Sequence, residues 1–279
     1  MKLIDLHVHT TKSDGTLTPA ETVSLAREKG LAAIAVTDHD TVGGIAEAQA
    51  AGAAAGVEVV PGMEVSTGWE HTEIHLLGYL FDPASPALGE AIDWVINDRR
   101  ERNEKMAALM RADGIPVTAE EMYRRYPQST VGRPHFAVKL MEQGMAVSVK
   151  DAFARYLAPG QKYYVRRNHI AFDRAVELIC QAGGRAVLAH PFQYRYDDER
   201  LRRLLDYCRE TGVSGVECLY SGYTPEQEEY LEALAGEYGF LITGGSDFHG
   251  SHKPEIELGR GIGGTLAVPY ELLEKLKKK

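Results

Sequence analysis

The sequence predicts an α/β fold, a parallel barrel closed at seven strands with a small helical subdomain inserted in it. Three observations predict it. Short apolar runs of strand length alternate with helical stretches from the N-terminus to about residue 86. The alternation then stops, and about 75 residues read as helix after helix with no buried strand. After Phe172 the alternation returns. The barrel is therefore expected from residues 1–86 and 169–279, and the inserted helical subdomain from residues 87–168.

Leu3 to Thr10 is the first strand, and it ends in His7 and His9, which lie two apart and share one face. Thr18-Pro19-Ala20-Glu21 is a helix start, with Thr18 as cap, Pro19 in the first turn and Glu21 reaching back. Gly30 ends that helix. Leu31 to Val36 is a strand, Val42 to Ala55 an alanine-rich helix closed by Gly56, and Val57 to Val60 and Ile74 to Leu80 are further strands. The insertion holds helices from Leu88 to Arg111, Glu120 to Arg125, Arg133 to Gln143 and Val149 to Tyr156. Beyond it come a helix to Ala182, strand Ala186 to Ala189, helix Glu199 to Thr211, strand Val213 to Leu219, helix Pro225 to Tyr238 and strand Leu241 to Gly244. In such a barrel the C-terminal strand ends form the functional face, since loops there vary without disturbing the core.

Composition narrows the function. A net charge of -9 over 279 residues argues against a broad basic surface for duplex nucleic acid, though not against a phosphorylated small substrate or a short RNA end. The mean hydropathy of -0.26 and the lack of a long apolar run argue against a membrane span, and a cytoplasmic protein is expected. Cys180, Cys208 and Cys218 are scattered singly, which speaks against disulfides or a thiolate zinc site and for core positions. Arg99-Arg100-Glu101-Arg102, Arg124-Arg125 and Lys162 to Arg167 are basic clusters in or beside the insertion, expected mainly as solvated helix faces.

The chemistry lies in metal-type ligands placed at or just past apolar runs: His7 and His9, Thr37-Asp38-His39-Asp40, Glu64, His75, His190 and Asp247 with His249. Imidazole and carboxylate without thiolate suit Zn, Mn or Fe, and so many donors exceed the needs of one ion. A carboxylate such as Glu64 can bridge two ions about 3.5 to 4 Å apart, the spacing of hydrolytic two-metal sites. A multinuclear hydrolase is the expectation.

The ordered set of H-x-H, D-H, G-x-E-x-S, A-H-P and S-D-x-H motifs resembles the PHP family (polymerase and histidinol phosphatase), which implies a distorted seven-stranded barrel. The likeness implies three metal groups: His7, His9, Glu64 and Asp247; Glu64, His75 and His190; Asp14, His39 and His249. It implies two to three divalent transition metals (Mn, Fe or Zn), with Glu64, Asp247 and His190 as catalytic residues. Asp14 stands where some members have histidine, and that harder oxygen donor makes Mn or Fe plausible beside Zn. The activity implied is phosphoester hydrolysis by a metal-bridging hydroxide. The leaving-group acid such a reaction requires is not singled out by the sequence.

Val131-Gly132-Arg133-Pro134-His135-Phe136-Ala137 resembles the G-R-P-H segment of the subgroup with nucleoside 3′,5′-bisphosphate phosphatases and an RNA 5′-end exonuclease. That likeness makes Arg133 and His135 the expected substrate binders, Arg133 on a second phosphate. Histidinol-phosphate phosphatase is the alternative activity, and a structural or regulatory metal-binding module the alternative without catalysis. Gly259 to Gly264 satisfies G-x-G-x-x-G but neither follows a clear strand nor opens a βαβ unit, so it is not expected to bind a dinucleotide. His71, His169 and His252 lie outside the motifs and are expected in surface or structural roles. Lys275 to Lys279 is expected as a frayed helix end.

Overall fold

The computed structural model describes residues 2–278. Strand β1 is Leu3–Val8, and α1 (Pro19–Glu28) follows, with Thr18 and Glu21 forming the expected capping box. Then come β2 (Ala33–Val36), α2 (Ile45–Ala55), β3 (Glu58–Trp69) and β4 (Thr72–Tyr79). A helical stretch comprises α3 (Pro86–Ala112), α4 (Ala119–Arg125), α5 (Arg133–Glu142) and α6 (Val149–Ala152), the last continuing as one π-helical turn, Phe153–Leu157. Alternation resumes with β5 (Ile170–Ala171), α7 (Phe172–Gln181), β6 (Arg185–Leu188), α8 (Asp198–Thr211), β7 (Gly215–Tyr220), α9 (Pro225–Tyr238) and β8 (Leu241–Gly245). The chain closes with β9 (Ile256–Glu257), β10 (Gly261–Ile262), β11 (Val268–Pro269) and α10 (Tyr270–Lys277).

The main sheet runs β11-β1-β2-β3-β4-β6-β7-β8, with β5 beside β3. Its ends meet: His9 N donates to Phe248 O at 2.9 Å and Asp247 N to His7 O at 2.8 Å, so the sheet is a nearly closed barrel. Gly245 permits this closure, because a Cβ there would lie 2.4 Å from the His7 backbone nitrogen. Tyr79 OH reaches Leu6 O at 2.8 Å from a strand three places away, across the interior. Ile4, Leu6, Ala35, Leu77, Val187 and Ala189 pack together with Leu272, Leu273 and Leu276 of α10.

The barrel is mixed, and this corrects the parallel expectation. β4 is antiparallel to both neighbours, β3 and β6. The cause is local. Only Glu70 and His71 separate Trp69 from its partner Thr72, and both have positive φ (43° and 66°), the signature of a tight hairpin whose strands must reverse. β3 also runs to Trp69, well past Val60, so Glu64 and His75 sit within paired strands, not beyond their ends.

The helical stretch has its own apolar cluster, including Met106, Met110, Met122, Phe136, Leu140 and Leu157. It is tied to the barrel by Thr130 N to Lys12 O at 2.7 Å and Ser129 Oγ to Thr11 O at 2.5 Å. Cys208 and Cys218 are buried as expected; Cys180 is exposed, contrary to its expected core position.

Candidate metal centre

All nine expected ligands converge. Donor atoms of His9, Asp14, His39 and His249 lie within 4.8 Å of one another, as do those of His7, Glu64 and His190, of His7, His9 and Asp247, and of His39, Glu64 and His75. Glu64 lies at the centre. Its Oε1 is 2.7 Å from His75 Nδ1 and 2.9 Å from His190 Nε2; its Oε2 is 3.0 Å from His39 Nδ1, 3.2 Å from His9 Nε2 and 3.4 Å from His7 Nε2.

Local backbone chemistry places these side chains. β1 alternation puts His7 and His9 on one face. His190 (φ 27°) follows β6 and Asp247 (φ 57°) follows β8, each in the left-handed region, so the chain turns sharply as it leaves the strand. Asp38, quoted in the sequence among the metal-type residues, instead holds the ligand loop: its carboxylate accepts from Thr10 N (2.7 Å), Thr10 Oγ1 (2.7 Å) and Ser13 Oγ (2.6 Å).

Burial alone would raise the carboxyl pKa values, yet the imidazoles prevail: His39, His75 and His7 hold Glu64 well below its usual range, and His249 and His39 do so for Asp14. Asp247 is likewise held down, by Lys253 and His249. All three are anionic donors at neutral pH. The fit to metal ions rests on a further observation: His7 Nε2, His9 Nε2, His39 Nδ1, His190 Nδ1 and Asp14 Oδ1 are buried without a hydrogen-bond partner. Buried nitrogens and oxygens are normally satisfied, so the atoms of His7, His9, His39 and Asp14 are matched to ligation, while His190 turns its other nitrogen, Nε2, toward Glu64.

Sequence reasoning missed the groups behind the ligands. Glu217, fully buried in β7, accepts from His7 Nδ1 (2.9 Å) and from His190 N (2.8 Å), which fixes the His7 tautomer with Nε2 free toward Glu64. The signal was present, since Glu217 is the one carboxylate within the apolar run Val213 to Leu219. Asp5 accepts from His7 N, Ser246 N, Ser246 Oγ and Gly259 N. Tyr220 OH and Lys253 Nζ both donate to Asp247 Oδ2, at 2.7 and 2.6 Å.

The cluster opens into a cavity of about 680 Å³. Four arginines line it: Arg99, Arg102, Arg133 and Arg167. Arg99 and Arg167 pair with Asp40, whose carboxyl burial would raise but the two guanidiniums hold well below its usual range. Arg133 opens α5, donates to Glu73 at 3.0 Å and lies 5.6 Å from the ring centres of Phe153 and Tyr164. Arg102 is 4% exposed and has no carboxylate partner among the described residues; its Nε donates to Asn103 Oδ1 at 3.0 Å. Its pKa is pushed down by burial and by the neighbouring guanidiniums of Arg99 and Arg133. His135 is buried, its Nδ1 accepts the Gly132 N–H at 3.0 Å as a helix cap, and burial lowers its pKa to about 4. His252, expected outside the site, bonds Asp14 O through Nδ1 at 2.7 Å and lines the cavity.

A barrel carrying nine clustered imidazole and carboxylate side chains beside an arginine-lined cavity defines a metal-dependent phosphoester hydrolase. The PHP domain matches residues 5–219, and the chain belongs to that family. It is 37% identical over 262 residues to the 5′-3′ exoribonuclease Rnm of Escherichia coli, covering 93% of this chain and 89% of that protein. It is 35% identical over 270 residues to a 3′,5′-nucleoside bisphosphate phosphatase of Chromobacterium violaceum, covering 96% and 93%. Among solved structures, a candidate metal-dependent phosphoesterase of Bifidobacterium adolescentis superposes with a TM-score of 0.88 at 31% identity, covering 99% of this chain and 95% of that one.

Proposed function

We propose that the protein removes phosphate from, or cleaves, a nucleotide carrying two phosphates: a nucleoside 3′,5′-bisphosphate or a short RNA 5′ end. In this reading the distorted barrel is counted as seven-stranded, and residues 87–168 form an inserted helical subdomain that supplies the arginines. The ligand groups are His7, His9, Glu64 and Asp247; Glu64, His75 and His190; Asp14, His39 and His249, for two to three divalent ions (Mn, Fe or Zn). Bound there, such ions supply activated water and charge neutralisation at phosphorus. The chain's own residues do the rest. Glu64 holds the cluster together, Glu217 orients His7, and Tyr220 with Lys253 fixes the Asp247 carboxylate. Arg102 and Arg133 hold the phosphate that does not react, and His135 sets the first turn of α5 beneath Arg133. A cytoplasmic location belongs to this reading and accords with three unpaired cysteines.

The observation that carries the proposal is the charge of the arginine wall. Four guanidiniums face two carboxylates, Asp40 and Glu73, and Arg102 is the one without a carboxylate partner among the described residues. A buried cation costs free energy unless it is paired, so this wall is built for an anion beyond the one held at the ligand cluster. Histidinol phosphate has one phosphate and a cationic remainder, and leaves the wall unmatched. The test is kcat/KM for a nucleoside 3′,5′-bisphosphate, a nucleoside 3′-monophosphate and histidinol phosphate with added Mn. A bisphosphate preference of at least tenfold over both is expected; equal rates would remove the argument.

A further inference from the structure

The glycine-rich motif Gly259 to Gly264 is absorbed neither by the ligand cluster nor by the arginine wall. It forms the turn and second strand of a small hairpin, in which Ile262 of β10 pairs with Ile256 of β9. Gly259, Gly261, Gly263 and Gly264 all have φ between 65° and 76°, so the glycines serve the turns and not a dinucleotide. The hairpin is anchored to the metal-ligand loops. Gly259 N donates at 2.7 Å to Asp5, the same carboxylate that accepts from His7 N and Ser246 N.

Pro254, Ile256 and Ile262, with Gly222, line the cavity that holds the ligand cluster. Ile262 is 42% exposed, a large apolar side chain left facing solvent at the mouth of a charged site. Glu255 lies in the same wall. Lys253 in the same wall is held by Asp247 at 2.6 Å, which leaves an apolar surface with a carboxylate that repels phosphate and accepts a flat uncharged ring, whereas the arginine wall does the opposite.

We propose that this hairpin wall seats the nucleobase of the nucleotide beyond the scissile bond of a chain substrate. The inference rests on the reading that the site takes nucleotides. It divides the cavity by chemistry, with the remote phosphate on the arginines, the reacting phosphate at the ligand cluster and the next base on Ile262. The contact is apolar, so any base is accepted, and a bisphosphate that lacks this nucleotide does not use it.

The test compares Ile262→Ala, and Ile262→Leu as the conservative replacement, in the metal-loaded protein. Substrates are a nucleoside 3′,5′-bisphosphate, a 5′-phosphorylated dinucleotide and the same dinucleotide with an abasic second residue. Ile262→Ala should raise KM for the dinucleotide about fivefold, ~1 kcal/mol at 1.4 kcal/mol per tenfold, with kcat and bisphosphate turnover unchanged. Ile262→Leu should restore it. The abasic substrate should show the same loss with wild type and no further loss with Ile262→Ala, because both changes remove one contact. Equal effects on bisphosphate and dinucleotide, or additive losses with the abasic substrate, overturn the seat. Bisphosphate turnover without dinucleotide turnover overturns it while leaving the function standing; turnover of neither overturns both.

Discussion

Arg102→Met separates a residue kept for function from one kept for stability, because the structure assigns the two effects opposite signs. The side chain is buried, lacks a carboxylate partner among the described residues, and lies near Arg99 and Arg133. Replacing a poorly compensated buried charge with an apolar side chain of similar volume is often neutral or stabilising by about 1 to 4 kcal/mol. Taking the low end, ~1 kcal/mol, and about 2 °C per kcal/mol for a chain of this size, Tm should hold or rise by about 2 °C. The same change removes a charge-assisted contact to the remote phosphate worth about 1.5 to 3 kcal/mol. That lowers kcat/KM for a nucleoside 3′,5′-bisphosphate by roughly ten- to a hundredfold. Turnover of p-nitrophenyl phosphate, which has one phosphate, should change less than threefold, since binding energy from a remote group is absent there. The assays are thermal unfolding and steady-state kinetics on both substrates. A fall in Tm of several degrees, or equal losses on the two substrates, would show that Arg102 serves the fold or the reacting phosphate and refute the reasoning.

Metal-replete protein should carry more than one equivalent of transition metal by elemental analysis, and Glu64→Gln should abolish phosphoester hydrolysis while leaving the circular dichroism spectrum unchanged, since the shared carboxylate contacts five imidazoles; a variant keeping a tenth of wild-type turnover would exclude the central role of Glu64. Glu217→Gln should weaken metal retention about ten- to a hundredfold in chelator competition, because the charged acceptor that fixes the His7 tautomer becomes a neutral amide. His135 has a folded pKa of about 4, below its ordinary value near 6.5, so it binds fewer protons folded than unfolded. Its contribution is present above about pH 6.5 and is lost as the pH falls toward 4, up to ~3 kcal/mol by linkage. Denaturant melts across that window should be flatter for His135→Asn, and an unchanged slope would count against neutral capping by this ring.

The sequence by itself determined the alternation of the barrel, the helical stretch and the nine side chains that converge at the cluster. These follow from short-range rules: strand-length apolar runs, capping boxes at Thr18 and Thr224, and polar donors of one chemical type repeated along the chain. Only the tertiary structure decided the rest. The reversal of β4 turned on two residues, Glu70 and His71, with no turn signature of the Asn-Gly kind. Glu217, Asp5, Asp40 and Glu73 acquire their roles from partners far away in sequence, as His7 to Glu217 spans 210 positions. Arg99, Arg102 and Arg167, which lie in basic clusters, read as solvated helix faces, because a charge run carries no mark of what packs over it. Folding placed the stretch around Gly132 against the loop bearing Asp14 and buried Arg99, Arg102 and Arg167 at one cavity. Burial converts a charge from decoration into a binding demand, and burial depends on contacts between distant segments that no local pattern encodes.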